Sequence, residues 1–218
     1  MKYPRTFHLP FSPGATNDDK VLPGTDHLLG VSLVATEKMD GSGVCMTKDS
    51  CFARSHNGPP SHPSFDAFKA LHAGVKTLIP DNIYLYGEWC WAKHSIYYDR
   101  LPGYFLLFGI KDSVNKIWSS WSGVETWAKK LGVPTVPVVQ NNVSFETKGA
   151  LEAFVTGEAK KISECGQIRE GIVIRPRGTI SDGDNLSKVA KWVRKNHVQT
   201  SDHWKHQEIT RNQLRVLA

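Results

Sequence analysis

Short segments in which apolar and polar residues alternate, or in which β-branched and aromatic residues dominate, recur along the chain. They predict six strands, at residues 29–38, 44–46, 83–89, 104–111, 171–175 and 189–193. The sequence Asp40-Gly41-Ser42-Gly43 separates the first two strands and is typical of a hairpin turn. Apolar residues and aromatic side chains are therefore concentrated in strands that follow one another closely.

A second pattern, with apolar residues at helical spacing, lies between these strands. It predicts helices over residues 65–75, 121–131 and 148–162, and a terminal helix over 201–216. Ser64 can cap the first helix, and residues 57–63 precede it as a loop rich in Pro and Gly. Prolines and glycines also punctuate residues 1–27, which predicts an extended amino-terminal arm with turns and little helix.

The order of these elements favours one fold class. Strands come in pairs and helices are interposed irregularly, so we predict an α+β domain with antiparallel sheets flanked by helices, not a doubly wound βαβ fold. The 218 residues include 40% hydrophobic and 22% charged residues, which is enough apolar material for a sizeable core and argues against disorder. We therefore expect residues 1–218 to form a single domain.

Positive charge is concentrated near the carboxyl end. The chain carries 27 Lys and Arg against 21 Asp and Glu, a formal charge of +6. Residues 186–218 contain seven basic and two acidic residues, a net +5, so residues 1–185 contribute only +1. A basic segment of this kind is a candidate surface for a polyanion such as nucleic acid. We predict that residues 196–218 form a helical tail.

Cysteine spacing and hydropathy bear on location. The four cysteines lack the Cys-x-x-Cys spacing, and a domain of this size does not need disulfides, so we expect them to be reduced. The apolar segments are too short to span a bilayer, and the amino terminus lacks the apolar core of an export signal. We predict a cytoplasmic, monomeric protein without a membrane segment.

The first candidate for chemistry is a lysine at the end of a predicted strand, in Lys38-Met39-Asp40-Gly41. The chain lacks the Gly-x-x-x-x-Gly-Lys-Ser/Thr phosphate loop, so any use of a nucleotide needs another device. A lysine attacks as a nucleophile only when its amine is neutral, which normally requires a pH near about 10.4. Taken alone, Lys38 could equally be a surface lysine beside a hairpin turn.

Further motifs follow Lys38 in a fixed order along the chain. They are Arg54 in Ala53-Arg54-Ser55, Glu88 in Tyr86-Gly87-Glu88-Trp89, Phe108 in Phe105-Leu106-Leu107-Phe108, Glu170 in Glu170-Gly171-Ile172-Val173, and the pair Lys188 and Lys191. The ordered set, spanning residues 35–195, resembles the covalent nucleotidyltransferase superfamily of ATP-dependent ligases and mRNA capping enzymes. Within it, Tyr86-Gly87-Glu88-Trp89 and the following Ala92-Lys93-His94-Ser95-Ile96 resemble the RNA ligases of the phage T4 RNA ligase 2 family.

The resemblance implies a role for each motif residue. It implies that Lys38 attacks the α-phosphorus of ATP, that Lys188 and Lys191 contact the α-phosphate, and that their charge disfavours protonation of Lys38. It also implies that Glu170 binds a divalent metal, Mg²⁺ or Mn²⁺, and that Phe108 stacks on adenine. The remaining cofactor-binding residues would be Glu37, Asp40, Gly41, Arg54 for phosphate or the incoming strand end, and Glu88 for the ribose.

Two assignments stay open at the level of sequence. The interval between Lys188 and Lys191 is three residues, whereas many relatives have Lys-x-Lys, so a regular strand would place the two on opposite faces. We favour Lys191 because it lies within the apolar run at residues 189–193. Phe105 competes with Phe108 for the stacking role. Each motif residue also has a structural alternative: a surface ion pair, a core aromatic or a solvated strand edge.

The resemblance implies an ATP-dependent RNA ligase that joins 3′-hydroxyl and 5′-phosphate ends of RNA. About 25 residues follow Val193, too few for the OB-fold that many relatives append, which favours a minimal RNA ligase. The predicted strand-binding residues are Arg54, Arg194, Lys195, Lys205, Arg211 and Arg215. The alternatives are a DNA nick-sealing ligase, a GTP-dependent capping enzyme, and a nucleic-acid-binding module without catalytic activity.

Overall fold

A computed structural model describes residues 2–54, 58–166, 168–184, 187–195 and 209–216. Over these residues the strands are β1 Phe7–His8, β2 Leu33–Lys38, β3 Ser42–Met46, β4 Cys51–Ala53, β5 Ile83–Trp89, β6 Phe105–Asp112, β7 Ile117–Trp118, β8 Val138–Val143, β9 Gly171–Pro176, β10 Ile180–Ser181 and β11 Ala190–Val193. The α-helices are α1 Asp66–Val75, α2 Trp121–Leu131 and α3 Lys148–Ala159, and short 3₁₀ turns occur at Asp26–Leu28, Pro63–Phe65, Lys76–Leu78 and Asp182–Asp184.

The strands form two sheets. The first has the order β1-β11-β9-β2-β8, and the second has the order β10-β7-β6-β5-β3-β4. Neighbouring strands are antiparallel except for β1 and β11, which run parallel. The predicted α+β class with antiparallel sheets is therefore confirmed, and the amino-terminal arm contributes its own short strand to the first sheet.

Helices cover the outer face of each sheet. Leu151 and Val155 of α3 belong to the same buried cluster as Ile172 and Ile174 of β9. On the second sheet, a separate cluster joins the apolar faces of α1 and α2 to the outer faces of β3, β5 and β6. Because the side chains of a strand alternate, the residues between these apolar ones point toward the space between the sheets.

The six predicted strands and three of the four predicted helices occur in the structure, with a few differences in their bounds. The predicted strand at residues 29–38 begins only at Leu33, because Gly30 adopts a positive φ of 66° and turns the chain beforehand. The helix predicted over 148–162 ends at Ala159, since the chain must turn there for Ser163 to reach the buried carboxylate of Glu37. Strand β8 was not predicted, because its residues Gln140–Asn142 are polar and exposed at a sheet edge.

The terminal helix predicted over 201–216 is wrong where the structure describes it. Residues 209–216 are extended and lie along residues 91–104, where Lys93 donates a backbone hydrogen bond of 2.8 Å to Thr210. Asn212 is 1% exposed and fixes this path through side-chain hydrogen bonds to Cys90 and Tyr98. A helix would withdraw that amide from both backbone partners. Residues 196–208 lie outside the described residues.

Apolar helices long enough to cross a bilayer are not found within the described ranges. The four cysteines are buried and free of disulfides.

Candidate active site

A cavity of about 700 Å³ opens between the two sheets. Both sheets contribute to its wall, and seven of the residues predicted for the site line it: Glu37, Lys38, Gly41, Arg54, Glu88, Phe108 and Lys191. Residues from positions 38 to 191 thus meet in one cleft. The structure therefore brings together most of the motif residues, although their individual roles stay predictions.

Strand β2 determines where Lys38 points. Its side chains alternate, so those of Thr36 and Lys38 face the cavity, whereas the carboxylate of Glu37 is bonded on the other side of the sheet. Glu37 therefore borders the cavity without directing its carboxylate into it. Six successive residues of β2 pair with β9, the last pair being Lys38 and Gly171. Lys38 is thereby held at the end of a central strand, directly beside the start of β9 and the preceding Glu170.

Lys38 and Glu170 form an ion pair in the cleft. The Nζ atom of Lys38 donates to Oε2 of Glu170 at 2.7 Å, and the Glu170 side chain is only 6% exposed. Burial opposes protonation of Lys38, but the carboxylates of Glu170 and Glu88 outweigh it and raise the pKa of Lys38. Repulsion between Lys38 and Lys191 acts in the predicted direction, but these two carboxylates outweigh it, so the net shift of the Lys38 pKa is upward.

The two glutamates of the cleft prefer the neutral form more than exposed glutamates do. Burial raises the pKa of Glu88 to about 8, against the opposing effect of Lys38. Burial likewise raises the pKa of Glu170. The cleft thus concentrates carboxyl groups around one ammonium group, an arrangement in which an added cation would favour ionisation of both acids.

The structure distinguishes between Lys188 and Lys191. Lys191 lies on β11, lines the cavity, and its Nζ atom is 3.6 Å from Oδ1 of Asp19. Lys188 lies in the turn before β11, is 44% exposed and pairs with Asp184 at 2.7 Å. The three-residue interval therefore leaves only Lys191 on the strand face beside Lys38, and the prediction that Lys188 also reaches the nucleotide finds no support.

Two motif residues beside Lys38 use their carboxylates elsewhere. Glu37 is 2% exposed and accepts hydrogen bonds from Arg169 at 2.9 Å and Ser163 at 2.6 Å, on the opposite face of the sheet. Asp40 accepts backbone hydrogen bonds of 2.8 Å from both Ser95 and Ile96. The two carboxylates are therefore engaged within the protein, where that of Glu37 anchors β2 and that of Asp40 fixes the segment that follows β5. Binding of the cofactor by these two residues stays a prediction.

That segment brings in a residue that the motifs did not assign. His94 lines the cavity, and its Nε2 atom lies 3.4 Å from the hydroxyl of Ser42. Gly41 is required here because a Cβ atom would come within 2.7 Å of the Trp89 carbonyl oxygen. The turn after Lys38 is thus closely packed on β5.

The two candidate aromatic residues occupy different places. Phe105 is 2% exposed and lies in the apolar core under α1. Phe108 lines the cavity, at a bulge of β6, and its ring stands edge-on to Tyr3 with centroids 5.0 Å apart. Arg175 donates to the Phe108 carbonyl at 3.3 Å and to the Ser119 carbonyl at 2.6 Å. Phe108 is therefore the only one of the two that could stack on a base in this cleft.

Sequence reasoning missed the contribution of the amino-terminal arm. Tyr3 and Asp19 both line the cavity, although they belong to a segment with no recognisable motif. Arg175 of β9 also lines the cavity and has no predicted role. A signal for Arg175 existed, because a charged residue at an inward-facing position of a buried strand needs a partner. No comparable signal marked Tyr3 or Asp19.

The residues predicted to bind the RNA strands lie in different environments. Lys195 and Arg215 are exposed. The guanidinium carbon of Arg211 lies 5.7 Å from the ring centroid of Trp91 and 5.1 Å from that of Tyr104. Arg194 has two buried guanidinium nitrogens without a hydrogen-bond partner. Lys205 lies outside the described residues.

A divalent metal would fit the cleft only together with a substrate. Among the residues that the structure describes, no cluster of three His, Cys, Asp or Glu side chains is arranged to hold a metal ion. Carboxylate oxygens are nevertheless available from Glu170 and Glu88. Mg²⁺ is commonly bound by one or two carboxylates and the phosphates of a substrate, and this donor set agrees with such binding.

Comparison with known proteins identifies the family. The RNA ligase family model matches residues 31–193, which is most of the chain. The chain belongs to the RNA ligase family. The predicted resemblance to ATP-dependent ligases of the nucleotidyltransferase superfamily is thereby confirmed at the level of family.

Solved structures of a Naegleria gruberi RNA ligase share the fold. The structure with PPi has a TM-score of 0.60 at 19% identity and covers 85% of this chain and 54% of that chain. A mutant with ATP and Mn has a TM-score of 0.58 at 16% identity, with coverage of 83% and 55%. A mutant with AMP and Mn has a TM-score of 0.57 at 17% identity, with coverage of 82% and 54%. The chain thus spans about half the length of these ligases. A search of curated proteins found no match.

Proposed function

We propose that this chain is an ATP-dependent RNA ligase that joins a 3′-hydroxyl to a 5′-phosphate through a lysyl-adenylate. The observation that supports the proposal best is the position of Lys38 at the end of a central strand, inside a nucleotide-sized cavity and beside Glu88, Glu170 and Lys191. Membership of the RNA ligase family and the Naegleria RNA ligase structures with ATP, AMP, PPi and Mn agree with it.

The first step forms a bond between the Nζ atom of Lys38 and the α-phosphorus of ATP. The bond between that phosphorus and the bridging oxygen breaks, pyrophosphate leaves, and Lys38 loses a proton. Phe108 supplies the face on which adenine stacks, and Glu88 accepts hydrogen bonds from the ribose hydroxyls. Lys191 neutralises charge that develops on the α-phosphate, which is the main requirement of phosphoryl transfer.

The ion pair between Lys38 and Glu170 must open before this attack. Within the pair Lys38 is an ammonium group with no free electron pair. Glu170, together with ATP phosphates, would hold Mg²⁺ or Mn²⁺, and the bound metal would stabilise negative charge on the phosphate oxygens. When the carboxylate of Glu170 is directed away from Lys38, it no longer raises the pKa of Lys38, so the amine deprotonates more easily.

Two further steps complete ligation. An oxygen of the RNA 5′-phosphate attacks the AMP phosphorus, and the bond to Lys38 breaks. The RNA 3′-hydroxyl then attacks the 5′-phosphorus, AMP leaves, and a phosphodiester bond forms. Arg54 is exposed at the cavity edge, where its guanidinium group could bind the incoming phosphate. A monomeric state, a cytoplasmic location and a role in RNA repair stay predictions.

The test is covalent labelling with ATP or GTP that carries ³²P at the α-phosphate. We expect a labelled adduct from ATP in the presence of Mg²⁺ or Mn²⁺ that is stable in alkali and labile in acid, as a phosphoramidate is. It should be absent in Lys38→Ala and retained in Lys48→Ala, whose side chain is exposed and paired with Asp81. Ligation of matched nicked and single-stranded RNA and DNA then identifies the substrate. Label from GTP alone would support a capping enzyme, sealing of DNA alone a DNA ligase, and no adduct a binding module.

A further inference from the structure

The amino-terminal arm, residues 2–27, lies before the region that the family model matches, yet it contacts the catalytic strand β11. Strand β1 pairs parallel with β11 so that His8 lies opposite Lys191. The amide of Leu9 also donates to the Lys191 carbonyl at 2.8 Å. The backbone around Lys191 is therefore supported on one side by a segment to which no function has been assigned.

Asp19 of the same arm carries this support to the Lys191 side chain. One carboxylate oxygen lies 3.6 Å from Nζ of Lys191. The other accepts hydrogen bonds from the amide of Thr16 at 3.1 Å and from its hydroxyl at 3.0 Å, and it is 3.4 Å from Nε2 of His8. The carboxylate is thus oriented by the arm, with one oxygen left to face Lys191.

The charges of these groups make Asp19 the counter-ion of Lys191. Hydrogen bonds from Thr16 outweigh the effect of burial and lower the pKa of Asp19 to about 2, so it is ionised at neutral pH. Burial and Lys191 lower the pKa of His8 to about 4, so its imidazole is neutral there. His8 therefore does not compete as a cation for the carboxylate.

Lys191 needs such a counter-ion because its surroundings oppose its charge. Burial and the nearby Lys38 lower the pKa of Lys191, whereas Asp19 and Glu170 act in the opposite direction. Glu170 already accepts a hydrogen bond from Lys38. Asp19 is thus the acidic neighbour whose carboxylate remains for Lys191.

We propose that Asp19 is a positioning residue that holds the ammonium group of Lys191 in the cavity wall, ready to meet the α-phosphate of ATP. The proposal deepens the proposed function and depends on it, because it concerns adenylation of Lys38. The arm is then part of the nucleotide site, and Asp19 acts on the reaction through Lys191 without touching the reacting atoms.

The test compares single-turnover adenylation in Asp19→Asn and wild type over a range of pH. We expect the rate at neutral pH to fall about tenfold to a hundredfold, the scale of a displaced positioning contact. We also expect the alkaline limb of the pH profile to move to lower pH, because Lys191 without its counter-ion loses its proton more easily. Asp26→Asn removes the same charge from an exposed part of the arm and should leave both properties unchanged.

A double mutant separates positioning from a structural role. In a Lys191→Met background, Asp19→Asn should cause no further loss of rate, because the residue through which it acts is gone. An equal loss in both backgrounds, or a wild-type rate and pH profile in Asp19→Asn, would overturn the proposal. If Asp19→Asn does not fold, Thr16→Val replaces it, and an unchanged pH profile there overturns the proposal. Absence of any adduct in wild type would instead refute the proposed function.

Discussion

The amine of Lys38 and the carboxylate of Glu170 lie 2.7 Å apart although 132 residues separate them in sequence. Their contact results from the pairing of β2 with β9, which places the end of one strand beside the beginning of the other. The same carboxylate that is predicted to bind metal also holds the nucleophile as an ammonium group. Lys38 can therefore become a nucleophile only when another group binds the carboxylate of Glu170 in its place.

We expect Glu170→Gln to lower the pKa of Lys38, because a neutral amide no longer stabilises the ammonium form. The pH dependence of amine-directed acetylation at Lys38, followed by mass spectrometry, measures this pKa. Glu152→Gln on the exposed side of α3 is the control. An unchanged profile in Glu170→Gln would show that the ion pair does not determine the protonation of Lys38.

A second expectation concerns stability and pH. The folded-state pKa of Glu88, about 8, lies above its ordinary value of 4.5, so the folded protein binds the proton more tightly than the unfolded chain. The stability from this group is present at low pH and is lost as the pH rises from about 4.5 through about 8. Glu88→Gln should therefore melt at a temperature that exceeds that of wild type by a margin that grows between pH 5 and pH 9. A constant margin contradicts the assignment.

Arg169→Met should destabilise the fold strongly, because it leaves the carboxylate of Glu37 buried without its cation. Removing one partner of a buried pair typically costs about 3–5 kcal/mol. Urea denaturation measures the loss of unfolding free energy. The double variant Glu37→Gln with Arg169→Met should recover part of it, whereas a loss below about 1 kcal/mol in the single variant would mean that water replaces the guanidinium group.

Gly171→Ala should impair both folding and adenylation. A Cβ atom at this position would overlap the carbonyl oxygen of Trp192 on β11, so β9 and β11 would have to separate. Glu170 and Lys191 lie beside this contact. Gly149→Ala in α3 meets no atom within 4 Å and, as an alanine in a helix, should be neutral or slightly stabilising. Thermal melting and adduct formation, measured together on both variants, distinguish the two sites.

Two of the exposed basic residues should affect RNA binding alone, whereas Arg211 should affect both RNA binding and stability. Lys195→Ala and Arg215→Ala remove exposed charges and should weaken RNA binding, reduce its salt dependence by about one ion per contact, and leave Lys38 adenylation unchanged. Arg211→Ala should also lower the melting temperature, because its guanidinium group packs on Trp91 and Tyr104. Loss of adenylation in Lys195→Ala or Arg215→Ala would place those residues in the nucleotide site.

Sequence patterns identified the strands of the site because each carries either an alternation or a run of β-branched and aromatic residues. Lys38, Glu88 and Phe108 were located from motifs on such strands, and the structure brings all three to one cavity. The ion pair between Glu37 and Arg169 could not be predicted because the two residues lie 132 positions apart, a relation that no local pattern encodes. Asp19 and Tyr3 escaped notice for a similar reason, since an irregular arm acquires its position only from the sheet it joins.

Polar patterns were less informative than apolar ones. Strand β8 carries Gln140, Asn141 and Asn142 at a solvent-exposed edge, where the burial that produces alternation is absent. Helical spacing of apolar residues predicts a helix over 201–216, which includes the extended residues 209–216. Their extended path depends on the buried side chain of Asn212, whose partners Cys90 and Tyr98 are distant in sequence.

The buried pair of Glu37 and Arg169 favours the observed registration of β2, because any other registration would separate its two charges. A shift of this strand by one residue would exchange the two faces, so that Lys38 would enter the apolar layer beneath α3 and Glu37 would enter the cleft. Such a shift would leave the Arg169 guanidinium group without its partner and would also bury the ammonium group of Lys38 unpaired. The acidic residue before the nucleophile thus selects, during folding, the alignment of β2 in which the amine of Lys38 faces the substrate.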